Sequence, residues 1–332
     1  MISLSYSITS CTPLVTGDHQ HRNTALLSSG ILGSLRYQYW LLKAMQAWQA
    51  NPQQPNYPLY SIQTLEHKTK QDLLAALDQA GPVVQLFGAT NWKKMFRLEI
   101  SDAQRGMQQP CSARSDDTKT EKKPYHWTCT LSFRQDRKVS FFKGIEGQIL
   151  QNELEQLMSF VYHYGWLGAA PQNGLGWVQV QGLEQEQMDC IVPPPANPVF
   201  AAQDIVFTKG EKDKLLAVLR QYYQEKHNQP GPGWKRNRYL NSIEHLGKNP
   251  PPVGYEIRRW LRDQQSPEFL FGGRNHAGFV HVSHPLVQAD QGWRIRLRFA
   301  TRPSNAGGIN PAQVTPSPAG WLEQSTHILR SL

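Results

Sequence analysis

Three stretches of this chain alternate apolar and polar residues with a period of two, and their order relative to the helical stretches limits the fold more than any other feature. "MISLSYSITS" (1–10) sets Ile2, Leu4, Tyr6 and Ile8 on one side of an extended chain. "MFRLEIS" does the same with Phe96, Leu98 and Ile100, and "YHWTCTLSF" with Tyr125, Trp127, Cys129, Leu131 and Phe133. This is the pattern of a half-buried strand. A fourth stretch, "GLGWVQVQG" (174–182), also reads as a strand. Ile31, Leu35, Tyr39 and Leu42 recur at helical spacing and predict a helix from about residue 30 to 49. "TKQDLLAALDQAG" predicts a smaller one, with a capping box from Thr69 to Asp72 and a stop at Gly81 and Pro82. "EGQILQNELEQLMSFVYHYG" places Leu150, Leu154, Leu157, Met158 and Val161 on one face and ends at Gly165.

The resulting order is strand, helix, strand, strand, helix, strand, with one extra helix before the second strand. It predicts an α+β, ferredoxin-like (RRM-like) split βαβ unit, an antiparallel sheet backed by helices on one face. In RNA-recognition folds the other face and its loops hold single strands. The arrangement hosts many unrelated functions and names none by itself.

A proline-rich stretch, "CIVPPPANPVF" (190–200), marks a boundary and divides the chain into residues 1–190 and 191–332. The second part has a basic helix, "GEKDKLLAVLRQYYQEKHN", the breaker "QPGPGW", and strand patterns in "GFVHVSH" and "GWRIRLRFA". "LFG" at 86–88 precedes the strand with Phe96, and "LFG" at 270–272 precedes the stretch with Phe279, which fits a second, degenerate and more helical copy of the first unit. The polar stretch from about 103 to 124 is expected to be a protruding loop.

With 332 residues, 39% of them hydrophobic, the chain can bury two cores. Its 35 Lys and Arg exceed 26 Asp and Glu, a formal charge of +9, which makes a polyanion the leading partner on charge alone. Cys11, Cys111, Cys129 and Cys190 are scattered and form no CxxC pair, as in a reducing cytoplasm. No apolar run reaches the length of a membrane span, so no membrane partner is expected and the cytoplasm is the expected location.

No metal or cofactor template is satisfied. His281 and His284 in "HVSH" lack companion ligands, and a nucleotide-cofactor loop is missing its usual flanks. Asp18, His19 and His21 in "GDHQHR" are the candidate groups for metal-independent RNA cleavage, as bases toward a 2′-hydroxyl, although no partner acid is identifiable and a polar surface loop is the simpler reading. The glycine-rich loop "GWLGAAPQNGLGWVQV" (165–180) offers Gln172, Asn173, Gly174 and Trp177 for hydrogen bonding, close approach or stacking. "SSGILGSLRYQYW" (28–40) offers Ser28, Ser29 and free N–H groups to an oxyanion at a helix start, with Gly33 for close approach of a neighbouring backbone. Arg36 near that positive helix end calls for an anion, either an RNA phosphate or a buried carboxylate. In "WRIRLRFATR", Arg294, Arg296 and Arg298 share one strand face, expected to be solvated, or else to meet RNA or an acidic neighbour.

These motifs together resemble the RAMP superfamily of CRISPR-associated proteins. "TPLVTGD", "SSGILGSLRYQYW", "QLFGATNWKKMFRLEI" and the glycine-rich loop occur in the expected order across most of residues 1–182. The pattern is most similar to the first-subunit family of the Cmr, type III-B, RNA-targeting complex. The resemblance implies a cytoplasmic antiviral-defence role as a non-catalytic RNA-binding subunit without cofactor. It would contact CRISPR RNA near its 3′ end, help capture target RNA, and assemble with other RAMP subunits of a type III effector. It also adds Lys93 and Lys94, beside "LFGAT", to the RNA-binding candidates. An endoribonuclease of the same superfamily that processes CRISPR transcripts is the alternative.

Overall fold

The first strand, β1 (Ile2–Ser10), buries Tyr6 and Ile8 and exposes Ser3 and Ser5, as its alternation requires. A computed structural model of the chain describes residues 2–12, 14, 16, 26–50, 70–89, 93–105, 125–133, 147–168, 175–183, 200–247, 251–265, 280–300 and 318–331. β1 pairs antiparallel with β3 (Tyr125–Phe133) on one side and β4 (Val178–Gln181) on the other, and β2 (Arg97–Arg105) joins β3. The sheet order β2-β3-β1-β4 is that of a ferredoxin-like unit.

Helices α1 (Ser28–Ala50) and α3 (Gly147–Tyr164) lie on the apolar side, where Leu35, Leu42, Leu154 and Val161 join Ile8 and Leu131 in one core. Glu153 ties the two helices, accepting from Tyr39 Oη and Lys43 Nζ at 2.7 Å each. Between α1 and β2 runs α2 (Lys70–Phe87), and the expected stop at Gly81 is a break rather than an end. Gly81 leaves helical geometry at φ 78°, and the helix resumes at Pro82, whose fixed φ and missing N–H suit a first helical turn. The Thr69 half of the proposed capping box lies outside the described residues.

The opposite sheet face is a row of hydroxyls. Ser3 bonds Ser132 and Ser5 bonds Thr130 across β1 and β3, both at 3.0 Å, and Gln179 and Gln181 continue the polar face on β4. The side chains described on this face are small or polar rather than aromatic. β2 continues to Arg105, past the expected start of the polar loop, through an irregularity at Ser101–Gln104 where Asp102 has φ 53°. Residues 106–124 lie outside the described set.

A second sheet is built from β5 (Phe200–Phe207), β6 (Val280–Val282), β7 (Leu286–Val287) and β8 (Trp293–Ala300), in the order β5-β8-β6 with β7 beside β8. Replacing β5, β6 and β8 by β1, β2 and β3 reproduces the neighbour relations of the first sheet. Helix α7 (Pro318–Arg330) follows β8 as α3 follows β3. A counterpart of β4 is not among the described residues. Three helices, α4 (Lys209–Asn228), α5 (Gly233–Leu246) and α6 (Gly254–Gln265), fill the place of α1 and α2, so this copy is degenerate and more helical. In the sequence, each "LFG" precedes the equivalent strand, β2 or β6, although 270–272 lies outside the described residues. Thr208 and Glu211 close a capping box at the start of α4, and "QPGPGW" breaks the chain only as far as α5.

The arginine face of β8 corrects the expectation of a solvated strand, because it packs against the first unit. Arg298 is 1% exposed, donates to Gln38 Oε1 on α1 at 3.1 Å, and lies 5.8 Å from the Trp166 ring centroid. Arg296 forks onto Asp204 at 2.6 and 3.1 Å with its guanidinium 5.0 Å from the Trp177 centroid, and Arg294 is half-buried. The indole π faces and the Gln38 amide replace water around these cations. Burial lowers the Arg298 pKa to about 10.

Candidate nucleic-acid interface

Three of the sequence motifs meet at one end of the first sheet. Thr9 of β1 pairs with His126 at the start of β3 and with Gln179 at the start of β4, and α1 begins after that end of β1. Small polar side chains join the segments. The Thr12 hydroxyl accepts from Trp177 N–H at 2.9 Å, and the Thr16 hydroxyl accepts from Leu27 N–H at 3.1 Å, just ahead of α1. Ser34 accepts from Gly168 N–H at 2.7 Å, and Gln38 Nε2 donates to Trp166 O at 2.6 Å. Ser34 and Gln38 are four residues apart and so share the face of α1 that holds the root of the glycine-rich loop.

That root is closed by a bridge between Trp166 and Trp177, by Leu167 N–H to Gly176 O at 2.8 Å, and by Trp166 Nε1 to Leu175 O. Gly176 has φ 85°, and a Cβ on it would lie 2.1 Å from Leu167 O, so a glycine is required. Gln172, Asn173 and Gly174 lie outside the described residues, as do Asp18, His19 and His21. Trp177 is described and corrects the stacking role expected of it. It is 1% exposed and its ring is covered by Arg296, so it joins the two units instead of meeting a base.

What this end offers to a ligand is the start of α1. Ser28 and Ser29 are exposed, the first turn holds no acidic residue, and the helix dipole adds positive potential there. Gly33 is exposed with open space around it, and a Cβ there would meet nothing within 4 Å. The glycine that allows close backbone approach is Gly30, where a Cβ would lie 2.7 Å from Thr16 O. Arg36, expected to meet a phosphate or a carboxylate, donates instead to the carbonyl of Gly88 at 2.6 Å. Gly88 has φ 83°, a left-handed conformation open to glycine at little cost, so "LFG" and α1 are joined by one bond.

Lys93 is exposed and Lys94 half-buried, but both lead into β2 at the opposite end of the sheet, since Arg97 pairs with Ser132 and Ser132 with Ser3. The structure therefore groups Ser28, Ser29 and Gly33 and sets the two lysines apart. Thr12, Thr16, Ser34 and Gln38 were absent from the sequence-based candidates, although they lie inside the same motifs. Their hydroxyl and amide groups announce nothing until their partners, more than a hundred residues away in most cases, are known. Beneath the site, burial raises the Cys11 thiol to about 12 despite the nearby Arg296 cation. Among the described residues, no cluster of His, Cys, Asp or Glu could hold a metal ion, and no helix is long and apolar enough to cross a membrane.

A family model described as the RAMP superfamily matches residues 7–179, just over half of the chain, from within β1 into β4. No curated protein and no solved structure matches the chain.

Proposed function

The chain belongs to the RAMP superfamily, whose members bind or process RNA in CRISPR systems, and from that premise we propose that it is a non-catalytic RNA-binding subunit of a type III effector complex. In this reading it contacts CRISPR RNA near its 3′ end, assists capture of target RNA, and assembles beside other RAMP subunits, as the similarity to the first-subunit family of the Cmr complex suggests.

The observation that supports the reading best is the exposed start of α1, with Thr16 and Ser34 pinning the adjoining segments in place and Ser28 and Ser29 left accessible. Backbone N–H groups and hydroxyls at a helix N-terminus suit a phosphodiester oxygen and supply no proton-transfer pair. Lys93 and Lys94 add a second point of positive charge at the far end of the sheet, available to the same or another strand. Attraction of this kind is electrostatic and tolerant of sequence.

The test is incubation of purified protein with repeat-containing CRISPR RNA in EDTA, followed by both a binding and a cleavage readout. Binding without defined cleavage is expected. Defined metal-independent cleavage would replace the proposal with a transcript-processing ribonuclease acting through Asp18, His19 or His21. Neither binding nor cleavage would leave a scaffold that touches RNA only incidentally.

A further inference from the structure

The hairpin of α4 and α5 lies outside the segment matched by the family model, and its outer surface is unexplained by the fold. Trp234, in the first turn of α5, is 62% exposed, and Leu240 on the same helix is 42% exposed. Large apolar side chains this open forgo the stabilisation that burial would bring. Between Glu225 and Glu244 the charge is one-sided, because residues 226–243 contain Lys226, Lys235, Arg236 and Arg238 and no Asp or Glu. Lys226 is engaged by Asp263 at 3.2 Å and Arg238 by the Tyr255 hydroxyl, whereas Lys235 and Arg236 are exposed and make no ion pair among the described residues.

The position of the cations adds to their cost. Lys235 and Arg236 stand at the positive end of the helix dipole, and Pro232, at the N-cap, supplies no side-chain hydrogen bond to the first turn. A polyanion laid across this surface would relieve that repulsion. The exposure does not come from a loosely held helix, since the inner side of α5 is anchored. Tyr239 of α5, with Tyr223 and Tyr255, surrounds the Arg259 guanidinium at 5.0, 5.4 and 5.7 Å. Arg220 Nη2 bonds Leu246 O at 3.0 Å, and His245 faces the buried Glu256 at 3.6 Å.

We propose that the outer face of α5 is a second contact for single-stranded RNA, with Trp234 as a platform for one base and Lys235 and Arg236 holding the flanking phosphates. This rests on the RNA-binding reading above and adds a site in the second unit. An exposed indole with the Lys235 ammonium beside it suits a nucleobase and its phosphate, because every base has a π face and stacking needs no sequence. Lys235 Nζ already lies 5.6 Å from the indole centroid, so phosphate and base sites adjoin.

The experiment compares the full chain with Trp234→Ala and with Lys235→Gln/Arg236→Gln, using fluorescence anisotropy of a labelled 20-nucleotide oligouridine over a salt series. Trp234→Ala is expected to weaken binding about 5- to 150-fold, the range of a lost base stack. The double variant is expected to lower the slope of log affinity against log salt by about 1.4, two phosphate contacts on a single strand. Both should keep the wild-type melting temperature, since the three side chains are exposed. If wild type binds and both variants match it in affinity and slope, the α5 contact is wrong while the RNA-binding reading stands. If wild type does not bind, that reading fails and this contact with it. Retained RNA affinity with loss of effector assembly would overturn the contact in favour of a protein partner.

Discussion

Replacing Arg36 by glutamine separates a structural role from an RNA-binding one at the head of α1. Its guanidinium donates to Gly88 O at 2.6 Å from a half-buried position. A hydrogen bond with a charged partner contributes about 1.5 to 3 kcal/mol, and partial solvation places this one toward the lower end, about 1.5 to 2 kcal/mol. The shorter glutamine cannot reach the same carbonyl. At about 2 to 4 °C per kcal/mol for a unit of this size, Arg36→Gln should lower the melting temperature by roughly 3 to 8 °C. RNA affinity, measured well below the transition, should stay within about twofold, far less than the tenfold change that 1.4 kcal/mol would bring. Calorimetry and anisotropy on the same preparation suffice. Arg36→Lys serves as a control that keeps the charge without the planar donor fork. An unchanged melting temperature with a tenfold loss of RNA affinity, rescued by lysine, would refute the argument and return Arg36 to a phosphate.

Two glycines in the same helix should respond in opposite directions. Gly30→Ala drives a Cβ to 2.7 Å from Thr16 O and should cost about 1 to 3 kcal/mol, whereas Gly33→Ala enters open space and should gain about 0.5 to 1 kcal/mol of helix stability. Melting temperatures moving the same way for both would contradict the packing described. Burial raises Cys11 and Cys129 from 9.0 to about 12, so at pH 8 each should alkylate about 30- to 60-fold more slowly in the native protein than in guanidinium, the scarcer thiolate being partly offset by its greater nucleophilicity, resolved by peptide mass spectrometry. Because these acids ionise more readily when unfolded, their contribution to stability is complete below pH 9 and is lost as pH rises from 9 toward 12. Native labelling at the denatured rate would remove that expectation.

Much of the first unit was readable because its signals are local. The alternation in "MISLSYSITS" and "YHWTCTLSF" reports which side chains face the helices, whatever the strands pair with, and Leu150 to Val161 mark a helix face by spacing alone. The second unit is less legible in sequence. Helix α5 hides behind "QPGPGW" because its first two turns are nearly all polar or exposed and carry no apolar period, and α6 starts directly after a proline run. The similar order of motifs from Thr12 to Trp177 and the family match over residues 7–179 agree because both depend on sequence order and residue type.

By itself, the sequence determined the strand and helix order, the basic balance, the family, and the presence of a glycine-and-serine helix start. Only the tertiary structure decided which of those residues remain available. Arg36 donates to the Gly88 carbonyl, Trp177 and the β8 arginines close over one another, and Ser28 and Ser29 stay open. A side chain's capacity to bond is written in its chemistry, but whether another part of the chain has already used it depends on neighbours as distant as 260 positions, as Gln38 and Arg298 are.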